Sequence, residues 1–99
     1  MKKFLAIYQS TPESVAAMAN ATPEQSAAVM QEWMKWKAAH EENIIDFGAP
    51  LMPADVVGGA TPSAASGYSV LQAESLEALK EACVDHPHKE IEFLEFIAM

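Results

Sequence analysis

The sequence predicts one α+β domain over residues 1–99. Three observations carry that expectation. Short apolar runs of strand-forming residues alternate along the chain with segments of helical period. Two Thr-Pro-Glu triplets, Thr11-Pro12-Glu13 and Thr22-Pro23-Glu24, each announce a helix start. Apolar residues make up 51% of the chain and charged ones 20%, the composition of a globular protein. A chain this short hides only ~60–70% of its unfolded surface on folding, so a second subunit would help it.

Residues 2–8 form the first expected strand. Phe4, Ala6 and Tyr8 point one way and Leu5 and Ile7 the other. Both faces are apolar, so both are expected to be covered. Thr11 then caps a helix of roughly two turns, with Pro12 at its first position, ending near Asn20. Thr22 caps a longer helix to about Glu42, with Gln25 completing a capping box. At 100° per residue Val29, Trp33, Trp36 and His40 share a narrow arc, which Met30, Met34 and Ala38 extend. Gln31, Glu32, Lys35 and Glu42 lie opposite. The apolar arc needs a sheet or a partner to cover it, and Trp33, between Met30 and Met34, is expected in the core.

Residues 44–51 resume an extended pattern, with Pro50 confining it to an edge or bulge. Residues 53–67 hold three Gly and two Pro among Ala and Ser, the mark of a loop or wide hairpin connection. A strand follows over 68–73. Ser75 caps a third helix whose buried stripe is Leu76, Leu79 and Cys83, and Pro87 ends it. Residues 91–97 form the last strand.

The order is strand, two helices, strand, strand, helix, strand. Right-handed crossovers make the simplest architecture a ferredoxin-like βαββαβ sheet with an extra N-terminal helix before the long one. The formal charge is −8, from six Lys, no Arg and fourteen carboxylates. That balance argues against nucleic acid as a partner and against bidentate phosphate clamps. The single Cys83 excludes an intrachain disulfide and a Cys-cluster metal site. No apolar run is long enough to span a bilayer, and the run after Lys2-Lys3 is too short for a signal peptide. The expectation is a soluble, cytoplasmic chain with no membrane partner.

Several stretches are similar to the YCII-related (DGPF-type) family. They are Met1-Lys2-Lys3-Phe4-Leu5-Ala6-Ile7-Tyr8, the Trp33–Trp36 helix leading to Phe47-Gly48-Ala49-Pro50-Leu51, and Gly67 through Leu79. His86-Pro87-His88 and Ile91 through Phe96 belong with them. The resemblance covers nearly the whole chain and implies a dimeric α+β barrel, a homodimer through the sheet faces. Some relatives are thought to use a His–Asp pair with the His on the first long helix. Here the comparable residues are Gln31-Glu32-Trp33, without a His. The Asp-Gly-Pro-Phe signature is absent from the 58–66 loop.

The chemistry rests on three His. His86 and His88 flank Pro87 and are the candidate catalytic residues, as general acid–base groups near the ordinary imidazole pKa of ~6.5. The other reading is a turn at a helix end. Tyr8, Ser10, His86 and His88 meet at the upper end of the sheet and are the candidate ligand-binding set. In that reading the two His side chains lie in an exposed segment. His40 is expected at the opposite end, a strand length of ~17–20 Å away, so no three-His metal site is expected. Asp46 is weighed as a partner for His40, against a solvated turn residue. No cofactor is expected. The functional reading is a small-molecule-binding or accessory homodimer. The alternative is a small lyase or hydrolase using His86 or His88.

Overall fold

A computed structural model describes residues 1–98. Strand β1 (Lys2–Gln9) leads through helix α1 (Pro12–Ala19) and helix α2 (Pro23–Ala39) to a 3-10 turn (Glu41–Asn43) and strand β2 (Ile44–Pro50). Strand β3 (Ala65–Ala73), helix α3 (Leu76–Ala82) and strand β4 (Ile91–Glu95) complete the chain. The sheet order is β2-β3-β1-β4, with every neighbouring pair antiparallel. This is the strand order of a ferredoxin-like α+β fold, reached through one crossover on each side of the β2–β3 connection.

The helix starts follow their local chemistry. Thr11 Oγ1 accepts from the Ser14 N–H while Ser14 Oγ accepts from the Thr11 N–H. Thr22 and Gln25 make the same reciprocal pair, and Ser75 caps α3 through the Ala78 N–H. These bonds satisfy amide groups that no helix can pair internally.

One sheet face carries the core. Phe4, Ala6 and Tyr8 of β1 and Leu71 and Ala73 of β3 are buried there, against Trp36 of α2 and Leu79 of α3. Ile91 and Phe93 pair with Tyr8 and Ala6, so they share that face. The other face, carrying Leu5, Ile7, Val70 and Leu94 by alternation and register, has no helix over it. The two-sided covering expected from the sequence is therefore one-sided within this chain.

The arc on α2 also needs correction. Trp36 is the tryptophan sealed in the core, and Trp33 is only half-buried at its edge. Val29, Met30 and Met34 are exposed. Residues 23–32 of α2 are all exposed, and helix α3 ends at Ala82, five residues before Pro87. Strand β4 similarly stops at Glu95 rather than at residue 97.

Strand β2 is bulged between Asp46 and Ala49. Gly48 takes φ +85° there, and a Cβ on it would lie 1.7 Å from the Tyr68 carbonyl oxygen. Only glycine fits, because the position demands both the left-handed backbone and the missing side chain.

Candidate functional site

The short α3 sets up the site. After Ala82 the chain turns back toward α2, and Trp36 Nε1 donates to the Ala82 carbonyl at 3.0 Å. That turn carries Cys83, Asp85, His86 and His88 against the lower half of α2. His86 lies 4.4 Å from the Trp36 ring and 4.7 Å from the Trp33 ring, centroid to centroid. His40 lies 5.2 Å from Trp36 on its other side. The expected separation of His40 from His86 by a strand length is thus wrong. Both rings pack against the single Trp36 indole.

His86 is fully buried at 0% exposure, not on an open segment. Its surroundings fix its proton. The Phe47 carbonyl can only accept, and Ser69 Oγ–H donates to it at 2.6 Å. Ser69 must therefore accept from Tyr8 Oη–H, at 2.8 Å. Tyr8 Oη in turn accepts from His86 Nε2–H, at 3.3 Å. At the far end His86 Nδ1 accepts from the His88 peptide N–H at 2.9 Å. Each group has one proton to give and one acceptor to take it, so the network assigns the neutral Nε2–H tautomer to His86.

The titration behaviour agrees with this geometry. Burial, then the neighbouring His88 and Lys89, pull the His86 pKa down from 6.5 to about 4, with Asp85 opposing them. Burial pushes the Tyr8 phenol up to about 12, with the Ser69 bond opposing it. The half-buried Cys83 thiol is pushed up to about 11 by burial and by Asp85. Tyr8 and Cys83 are protonated at neutral pH, so neither supplies a ready anion. His86, with both ring nitrogens engaged, has no free lone pair for general-base work.

His88 is different. Its Nε2–H donates to the Gln9 carbonyl at 2.8 Å, and its peptide N–H is held by His86. Among the described residues no group bonds its Nδ1. In its neutral form this half-buried ring therefore presents an acceptor nitrogen in a fixed orientation. The Tyr8 ring lies 5.4 Å away and the Trp33 ring 6.4 Å, with Phe47 against Trp33 at 6.0 Å. Ser10 stands at the end of β1, its Oγ–H donating to the Ala64 carbonyl at 3.2 Å. Of the four expected ligand-binding residues, Tyr8, His86 and His88 share one network. Ser10 adjoins it through the chain and turns toward the loop.

Two residues escaped the sequence reading. Ser69 links Tyr8 to Phe47, and its place beside Gly67, Leu71 and Ala73 on the buried parity of β3 is a signal that period-two counting carries. Asp85 is the partner of His40, with Nε2 3.1 and 3.3 Å from its two oxygens. Asp46 does not reach His40. It accepts from the Gly48 N–H and from Tyr68 Oη–H instead. A hollow of about 180 Å³ beside the His40–Asp85 pair is lined by Glu32, Lys35, Trp36, Ala39 and Asp85. A larger, open one of about 530 Å³ lies within the 51–65 segment. Among the described residues no three His, Cys, Asp or Glu side chains converge to hold a metal ion. No helix among them is long and apolar enough to cross a membrane.

The class that fold and site define is a small α+β domain with an antiparallel four-stranded sheet and a histidine-bearing turn behind it. Its fold is similar to that of 5-chloro-2-hydroxyhydroquinone dehydrochlorinase (TftG) from Burkholderia phenoliruptrix AC1100, solved in complex with 2,5-dihydroxybenzoquinone. The TM-score is 0.57 at 15% identity, over 96% of this chain and 93% of that one, a likeness of fold alone. No protein-family model matches the chain. No curated protein matches it in sequence.

Proposed function

We propose that this chain is a YCII-related homodimer that binds a small oxygenated ring compound beside His88. The observation that carries the reading is the fixed imidazole. The Gln9 carbonyl holds the ring at Nε2–H and His86 holds the His88 peptide N–H, leaving Nδ1 to accept a hydroxyl proton from a ligand. The Trp33 ring, 6.4 Å away, supplies a flat apolar wall near it, with Phe47 packed against Trp33. The family assignment draws on the sheet order and the structural likeness as well as on the residues that resemble the family.

The dimer reading is supported by surface area. The chain exposes 7182 Å², whereas a folded monomer of its mass exposes about 5,500 Å². The uncovered sheet face, with Leu5, Ile7, Val70 and Leu94, suits a second copy packed face to face.

A second reading is a lyase, favoured by the dehydrochlorinase likeness. In it His88 Nδ1 takes a proton from the substrate as a leaving group departs with its bonding pair. His88, not His86, is the base in this reading, because both His86 nitrogens are occupied.

Calorimetric titration with 2,5-dihydroxybenzoquinone tests the site. Saturable binding by the wild type, weakened at least ~10-fold in His88→Gln at unchanged melting behaviour, is expected. Equal affinity of the two proteins, or no binding by the wild type, overturns it. Turnover of a halogenated hydroquinone by the wild type, lost in His88→Gln, would favour the lyase reading.

A further inference from the structure

The hydrogen bonds behind His88 form one unbroken chain, and their polarity is set at the end farthest from it. Strand β2 is bulged between Asp46 and Ala49. The Phe47 carbonyl, inside that bulge, takes the Ser69 hydroxyl proton at 2.6 Å. Across β1 and β3 Ala6 faces Ser69 and Tyr8 faces Gly67, so Ser69 stands diagonal to Tyr8. Its Oγ takes the Tyr8 Oη–H at 2.8 Å. Tyr8 Oη has two partners among the described residues, Ser69 Oγ and His86 Nε2. Ser69 and His86 are 0% exposed and Tyr8 4%, so this part of the chain is closed to solvent. No buried side-chain nitrogen or oxygen among the described residues lacks a partner. Every proton in the chain is committed, and the loss of one acceptor must be answered elsewhere in it.

Burial decides where. Without Ser69 Oγ, the Tyr8 hydroxyl proton has one acceptor left, His86 Nε2. To accept there, Nε2 must give up its own proton, and the neutral ring must carry it on Nδ1 instead. That Nδ1–H would meet the His88 peptide N–H, whose nitrogen lies 2.9 Å away, donor against donor. Leaving the Tyr8 proton unpaired would keep the loss inside the dry core, where it is largest. Reversing the ring moves the loss to the half-buried His88 turn, within reach of water. Reversal is therefore the lower state, and it breaks one of the two bonds that hold His88, the other being to Gln9.

We propose that Ser69 is a positioning residue for His88. By accepting from Tyr8 it keeps the His86 proton on Nε2, and so keeps His86 Nδ1 free to hold the His88 peptide. Ser69 itself never touches the ligand. The effect on affinity rests on the His88 binding reading, but the tautomer that Ser69 fixes does not.

Two readouts separate these. Long-range nitrogen–proton spectra at about pH 8 report the tautomer with no ligand present, and calorimetry with 2,5-dihydroxybenzoquinone reports the site. Ser69→Ala is expected to move the His86 proton to Nδ1, to speed hydrogen exchange at the His88 amide, and to weaken binding at least ~3-fold. Tyr8→Phe removes the competing donor and is expected to leave the proton on Nε2. Tyr8→Phe/Ser69→Ala is expected to regain Nε2–H, the protected His88 amide and most of the affinity, because the His88 N–H then decides the tautomer alone. Two deletions that regain what one loses are the mark of a positioning role; losses that merely structural residues cause would accumulate. Should Ser69→Ala not fold, Ser69→Cys carries the test, since a thiol accepts only weakly, and both His86 tautomers are expected in exchange. Nε2–H retained in Ser69→Ala, or undiminished in Ser69→Cys where that variant stands in, overturns the proposal, as does Nδ1–H persisting in the double variant. A wild type that fails to bind the quinone, while the tautomers respond as described, overturns the ligand reading alone and upholds the hold of Ser69 on the His88 turn.

Discussion

Lowering the pH should loosen this fold through His86 before the carboxylates take part. The unfolded chain gains a proton on His86 near pH 6.5, while the folded chain resists it until about 4. Between those values the unfolded state binds more protons, so stability falls as the pH falls. Above pH 6.5 the full contribution is present. The gap is worth about 3 kcal/mol at ~1.4 kcal/mol per unit, a large share of the ~5–15 kcal/mol that holds a small domain together. The first cause is burial, and the hydrogen-bond geometry works in the same direction. A second proton would sit on Nδ1, where the His88 N–H already points, and would set two donors against each other in a buried space. Urea melts at half-unit steps from about pH 7 to 5, run on the wild type and on His86→Gln, isolate the effect. Glutamine keeps an acceptor and a donor in reach without titrating. The wild type should lose stability relative to the variant as the pH falls through this window. Parallel curves would refute the buried neutral His86 and the hydrogen-bond chain inferred from it.

Four further outcomes rest on the same structure. Tyr8→Phe removes the acceptor of His86 Nε2–H and should cost ~1–3 kcal/mol in denaturant melts, with no change in the sheet signature. Trp36→Ala should cost ~3–5 kcal/mol as a buried cavity. The same change at the half-buried Trp33 should cost distinctly less and bear mainly on ligand affinity. Gly48→Ala should destabilise by upwards of ~2 kcal/mol, since the residue needs a left-handed backbone and has no room for a Cβ; a wild-type melt for that variant would contradict the bulge geometry.

Much of the frame was legible because its signals are local. Thr22 and Gln25 act on amides within one turn, and alternation along Lys2–Gln9 and Ala65–Ala73 is a property of the strand itself. The parts that were not legible depend on where one element stops relative to another. Nothing near Ala82 says that α3 ends there rather than at Pro87, yet that stop folds the turn back onto Trp36. That turn buries His86 and pairs His40 with Asp85 across 45 residues. Trp33, expected in the core, is only half-buried, while Trp36 is sealed. Both lie on one helical arc, and only the neighbouring layer decides which is sealed. The candidate set of Tyr8, His86 and His88 was reachable from strand parity and topology. The division of labour among them, with one ring spent on structure and the other left with a free nitrogen, came only from the donor and acceptor sequence.

The central claim is that His88 is held as a fixed acceptor by Gln9 and His86. Long-range nitrogen–proton correlation spectra of the imidazole rings at about pH 8, above the ordinary His range, read it directly. The account predicts the Nε2–H tautomer for both His86 and His88, with the His88 Nδ1 resonance alone moving when 2,5-dihydroxybenzoquinone is added. A His88 ring averaging between tautomers, or protonated at Nδ1, would contradict it.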